Sequence, residues 1–417
     1  MKKNRVPFLL LFLFVIGSIL LAGCSQGGSA DSVKIGVTGP LTGSTANSGI
    51  SLKQGMEMAV EEWNEKGGIE IDGEMLPVEM IFEDNQGQPS EGVSAAEKLF
   101  NNDNVHFLIG DAFSSSVTMA IMELASQYEK PIMSGEPVSS AISEKVEQDP
   151  EKYKYFWKGN FSSEAYGEGA FETIKTLIEK GDFTPKNKTV AFVVEDTDYG
   201  HSNVAEAQKL FEADGWEQVA FETVEVGHTD FYPQLTKLKS LDADVLITCF
   251  TAVSSGVALV KQFHETDMES LHLAIYYPIR PEFIEQAGED ANGLIWEPIS
   301  YQPELIEVQK EFEDKYVEIY EVEGNADAAQ GYDYMNNVLT AIEAAGTLDS
   351  DKIVEELYKL SRDGLLGRYE FDQSNHTVKA GPDFLPVPAA QIQNGEDQII
   401  WPDNLATSQY VPQPWVK

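Results

Sequence analysis

Apolar positions along this chain follow two alternating rhythms. Residues 33–40, VKIGVTGP, form a short β-rich run that stops at glycine and proline. Over 48–68, Leu52, Met56, Ala59, Val60 and Trp63 instead recur at helical spacing before a Gly-Gly stop. Strands are predicted over 76–87 and 105–110, with a helix over 90–102 between them. A further helix follows the serines of 114–116, and a strand lies within 130–137. This βαβαβαβ order predicts a parallel sheet with helices on both faces.

A polar stretch, 143–169, separates this set from a second one. Strands are predicted there over 188–200, 216–224, 243–250 and 271–278, with helices over 201–215, 229–241 and 254–266. Both sets repeat one layout of strand, polar loop at its carboxyl end, and helix. No exact sequence repeat accompanies it, so the reading is two similar lobes and not a repeat array. Residues 303–346 then read as two helices, and 364–378 and 388–402 as strands. Such late elements imply that the chain crosses between the lobes more than once.

The amino terminus follows neither rhythm. Lys2, Lys3 and Arg5 precede an apolar run from Pro7 to Ala22, the organisation of a secretory signal peptide over 1–23. The run closes in Leu21-Ala22-Gly23-Cys24, which resembles the lipobox of bacterial lipoproteins. That resemblance implies cleavage before Cys24 and a diacylglycerol on its thiol, with 24–32 as a lipidated, flexible tether. An uncleaved anchor with a coincidental cysteine is the other reading. With Cys24 lipidated, Cys249 has no disulfide partner and reads as a buried, inert thiol.

At 417 residues the chain is long enough for two or three domains, and its 42% hydrophobic content is that of a globular protein. Its net charge of −40 disfavours nucleic-acid binding and implies a solvated acidic shell. Losing Lys2, Lys3 and Arg5 with the leader takes that charge to −43.

In open parallel sheets ligands sit beyond the carboxyl ends of the strands. The loop at 111–116 is such a place, because Ser114, Ser115 and Ser116 precede a helix whose first turn presents unpaired N–H groups. Hydroxyls beside such groups suit a carboxylate. Serine is also among the best helix caps, and the residue types leave both roles open. Phe113, Tyr199, Tyr276 and Tyr277 fall at strand ends, where they either line a cleft or pack. No phosphate-loop, zincin, serine-hydrolase or paired-cysteine motif occurs, and the six histidines share no ligand spacing. The chain therefore does not read as an enzyme, and no metal or cofactor is expected.

One resemblance organises these pieces. VKIGVTGPLTG, WNEKGGI, HFLIGDAFSSSV, DYGHSNVAEA, ADVLITCF, GYDYMNNVLTAIEAAG and the closing GEDQIIWPDNLATSQYVPQPW occur in order. Together they resemble the Leu/Ile/Val-binding type of solute-binding proteins of ABC importers. The resemblance implies an α/β protein of two Rossmann-like lobes with parallel sheets joined by three crossover segments, the type I periplasmic binding fold. Lobe one would hold 33–156 plus 299–364, and lobe two 157–298 plus 365–417. It also implies an extracellular, lipid-anchored monomer that carries a small polar solute to a membrane permease. A receptor that signals instead of feeding transport is the alternative.

Carried over residue by residue, the resemblance puts Ser114 at the serine that holds the ligand carboxylate, beside Phe113. A second contact loop becomes Gly135-Glu136-Pro137-Val138, which lacks the family's threonine hydroxyl unless Ser139 or Ser140 supplies one. Tyr199-Gly200 matches the tyrosine at the mouth of lobe two, and Thr251 lies in the loop after ADVLIT. Tyr276 stands where the family has the acid that receives an α-ammonium group. An ammonium group desolvated without an anionic partner costs several kcal/mol. Either Glu136 or another acid takes over, or the solute is not an α-amino acid; the tyrosine-rich loop favours an amide, carboxylate or aromatic solute.

Overall fold

Strand Val33–Gly39 is buried at all but one of its positions, as a strand covered on both faces must be. In the computed structural model, which describes residues 30–298, 301–381 and 383–416, it pairs in parallel with Val78–Asp84 and Phe107–Ile109. The leader, Cys24 and most of the tether lie outside the described residues.

Two large sheets result. The first runs Ser361–Asp363, Arg368–Asp372, Thr377–Val378, Phe156–Lys158, Ile132–Ser134, Phe107–Ile109, Val33–Gly39, Val78–Asp84. The second runs Glu396–Trp401, Ala389–Gln393, Ile295–Glu297, Leu271–Tyr276, Val245–Phe250, Thr189–Glu195, Glu217–Val224. Each sheet is parallel at its centre, and its late-arriving edge strands are antiparallel. The chain passes between the sheets three times: after Lys158, after Glu297 and after Val378.

The last passage falls later than the boundary at 364 expected above. Arg368–Asp372 and Thr377–Val378 join the first sheet, where Thr377 pairs with Lys158. The backbone N–H of Lys158 donates to His376 at 2.8 Å, and the His376 ring stacks on Trp157 with centroids 4.3 Å apart. Buried aromatic contact thus keeps this hairpin with the first core.

Helix Ala46–Glu65 lies against helix Ala326–Ala345 at backbone contact. A Cβ on Gly55 would stand 1.8 Å from the Ala328 carbonyl oxygen, and one on Gly331 would stand 2.1 Å from that of Leu52. Only glycine permits this approach. The helix predicted from 201 begins earlier, at Asp198, because the Thr197 side chain accepts from the Gly200 N–H at 3.0 Å and caps it. Tyr199 therefore sits in the first turn of a helix and not at the end of a strand.

Candidate functional site

Strand Phe107–Ile109 delivers the serine loop to the carboxyl end of the first sheet. Asp111, fully buried, sets the shape of that loop. Its carboxylate accepts from the Thr38 hydroxyl at 3.0 Å, Asn85 Nδ2 at 2.5 Å, and the N–H groups of Phe113 and Ser114 at 3.2 and 2.7 Å. Burial pushes the Asp111 carboxyl up to about 6. The Ser114 N–H is thereby spent, and its hydroxyl caps helix Ser115–Ile121 only at 3.5 Å from the Val117 N–H. Ser115 Oγ accepts from the Ser139 N–H at 3.3 Å.

The second loop zips onto the first. Gly135 and Glu136 donate their N–H groups to the carbonyls of Asp111 and Ala112, both at 2.9 Å. A Cβ on Gly135 would meet the Ala112 carbonyl oxygen at 2.5 Å. Lys158, buried completely, donates to the carbonyls of Val138 and Ser139 at 2.7 and 3.1 Å and to Ser143 Oγ at 3.2 Å.

A cavity of about 310 Å³ opens between these loops and the second sheet. Of the residues expected from the sequence, Phe113, Ser114, Val138, Tyr199, Thr251 and Tyr276 line it. Pro137 and Ser139 do not line it, contrary to expectation. The Lys158 and Ser115 contacts turn the Ser139 backbone into the core, and the Ser139 hydroxyl finds no partner there. It does not replace the missing threonine. Ser115, Ser116, Glu136, Gln88, Asn160 and Tyr166 also line the space; of these the sequence points to Ser115 and Ser116 as part of the serine run and to Glu136 as an alternative acid. Asn160 and Tyr166 come from the passage between the sheets, which carries no strand or loop motif to mark them.

Thr251 donates its hydroxyl to Glu195 at 2.5 Å, and the Ala252 N–H donates to the same carboxyl at 3.2 Å. Burial raises the Glu195 carboxyl above the usual range. Tyr276 ends its strand with φ +76° and ψ −55°, the strained geometry of a tight three-residue turn. This bend sets its ring near Phe113 and Tyr199, with centroids 6.1 and 6.0 Å away. The Tyr276 hydroxyl lies 3.2 Å from Glu136 Oε2 and 3.3 Å from Asp327 Oδ1. Behind them Arg280 pairs with Asp327 at 3.2 Å and donates to Ser51 Oγ at 2.9 Å.

Glu136, Asp327 and Arg280 are all buried. Burial, then the neighbouring Asp327 charge, holds the Glu136 carboxyl well above its usual range. Asp327 is also raised by burial, with Arg280 opposing. Glu136 Oε1 is buried without a hydrogen-bond partner. The cavity therefore offers serine hydroxyls, aromatic rings and one open carboxyl oxygen. No cluster of His, Cys, Asp or Glu suited to a metal ion occurs among the described residues. No helix among them is long and apolar enough to cross a membrane.

Residues 32–395 match the family model described as periplasmic binding protein. The chain is 25% identical over 394 residues to the Leu/Ile/Val-binding protein homolog 2 of Brucella abortus, covering 91% of this chain and 96% of that protein. Its fold matches the Streptococcus pneumoniae substrate-binding protein LivJ in complex with isoleucine (TM-score 0.75, 23% identity, 89% of this chain and 100% of that one). It also matches an R. palustris solute-binding protein in complex with benzoate (TM-score 0.76, 16% identity, 92% and 99%). These identities carry the fold alone. With two sheets, three passages between them and a family match across most of its length, the chain belongs to the periplasmic binding protein family and has its type I fold.

Proposed function

We propose that this protein captures a small amino-bearing carboxylate in the cavity between its two sheets and delivers it to an ABC permease from the outer face of a bacterial membrane. The observation that carries this reading is Glu136, which lines the cavity with Oε1 buried and unpartnered. A buried carboxyl oxygen without a donor is costly, and an ammonium group would satisfy it with a charge-assisted hydrogen bond. The hydroxyls of Ser114 and Ser116 supply donors for the solute carboxylate, and Phe113, Tyr166, Tyr199 and Tyr276 enclose its apolar part. Glu136 thus takes the part of the acid that Tyr276 displaced, and the preference for a solute without an amine gives way.

Thermal-shift screening tests this directly. L-leucine, L-isoleucine, L-valine and L-alanine are expected to raise the melting temperature, and benzoate and 4-methylpentanoate to raise it less. A rise with benzoate and none with any amino acid would favour the second reading, an aromatic carboxylate, for which the four aromatic rings at the cavity speak. Attachment through Cys24 is tested by intact-mass analysis of membrane-extracted protein. The expected mass lacks residues 1–23 and carries a diacylglyceryl group; a mass with the leader retained would refute the anchor. Transport is separated from signalling by solute uptake in cells lacking the protein, which is expected to fall.

A further inference from the structure

Two carboxyls and one phenol meet at the inner wall of the cavity, and their protons do not add up unless one carboxyl is itself protonated. The Tyr276 hydroxyl stands between Glu136 Oε2 and Asp327 Oδ1, yet a phenol has one proton and donates it once. The two carboxyls share this one phenol, and the Asp327 charge beside Glu136 disfavours a second negative charge there. Charge gives the same count. Arg280 is the cation at the cluster and neutralises one carboxylate, not two.

The groups that face Glu136 come from several elements. Asp327 and Tyr334 lie on helix Ala326–Ala345, Tyr276 on strand Leu271–Tyr276 and Tyr166 on helix Glu164–Lys180. Arg280 stands at the start of helix Pro281–Ala287, with Glu282 beyond it. Ser48 stands beside Asp327. The other buried cation near this loop, Lys158, is committed to the carbonyls of Val138 and Ser139.

We propose that capture of an amine-bearing solute displaces one proton from the Glu136–Asp327 carboxyl pair into solvent. This rests on Glu136 being the amine receptor. The O–H bond of the protonated carboxyl breaks, its electron pair stays on the carboxylate, and the proton leaves to bulk water. The solute ammonium then donates to Glu136 Oε1, so the buried cluster stays electrically neutral. A solute that lacks the amine releases no proton, because nothing cationic replaces it. The cluster therefore selects for a cationic group and makes that selection stronger as pH rises.

Isothermal titration of the purified protein with L-leucine in phosphate and in Tris at one pH counts the protons, because the buffers differ in ionisation enthalpy. About one proton is expected to leave per solute bound, and Kd is expected to fall about tenfold per pH unit while the carboxyl is protonated in the free protein. Glu136→Gln is expected to abolish the release and weaken L-leucine about 10- to 100-fold. Asp327→Asn, which leaves one carboxyl beside Arg280, is expected to bind without a pH dependence and serves if the first variant does not fold. L-leucine binding with equal heats in both buffers and a flat pH profile would overturn the coupling and leave the solute class standing. Unchanged proton release in either variant would overturn it too. Failure of the amino acids to bind, with benzoate binding well, would remove the solute class and the coupling together.

Discussion

Ser114 has one hydroxyl and two calls on it. Its 3.5 Å contact with the Val117 N–H is long for a cap, and its own N–H is held by Asp111, so the hydroxyl is the group left for a solute. Ser114→Ala is expected to weaken solute binding by about 1–3 kcal/mol with little change in melting temperature, read by calorimetry. An unchanged Kd would return the serine to capping alone. Asp111 is the residue the loop cannot spare. Asp111→Ala leaves four donors, three of them buried, without an acceptor, and the expected cost is about 3 kcal/mol or more by chemical denaturation, with solute affinity lost as the loop relaxes. The serine run was legible in the sequence as a candidate site. The acidic residue that shapes it was not, because its partners Thr38 and Asn85 come from other strand ends.

At the scale of elements, close approach decides where the cavity stands. Helices Ala46–Glu65 and Ala326–Ala345 touch through Gly55 and Gly331, and this pairing brings the amino-terminal end of the second helix, with Asp327, toward Glu136. Gly331→Leu is expected to destabilise the fold by about 3 kcal/mol or more and to weaken solute binding, since any Cβ there collides with backbone. A thermal melt matching the wild type would show that the helices can separate without cost. Helical periodicity made both helices legible, including the late one. Their contact was not, because glycine in a helix reads from sequence as a weak point.

For the whole molecule, the balance of buried titratable groups gives a pH signature. Burial brings the Lys158 ammonium from its usual 10.5 down to about 7. Between those values the unfolded chain holds a proton there that the folded chain lacks, so this group's contribution to stability rises with pH across that window. Lys158→Met removes the rise. Relative to this variant, the wild type is expected to gain up to about 4 kcal/mol between pH 7 and pH 10, measured by urea unfolding at each pH. Parallel curves for the two proteins would show that Lys158 stays charged in the fold. Asp111, raised to about 6 by burial, acts in the opposite sense in a lower window, where stability is lost as pH rises through about 4 to 6.

Local pattern by itself determined most of the elements and their order, because period and punctuation are properties of neighbouring residues. Pattern and residue chemistry also pointed to two lobes, to more than one passage between them and to Phe113, Ser114, Tyr199 and Tyr276; resemblance added the number of passages, Val138 and Thr251. The hairpin at 368–378 needed the tertiary structure, since buried contacts with Trp157 and Lys158 tie it to the first sheet. So did the acidic wall: Tyr276 meets Glu136 and Asp327 across 140 and 51 positions of chain. A carboxyl's role follows from which charges and donors surround it after burial, and those neighbours are chosen by packing, not by sequence proximity.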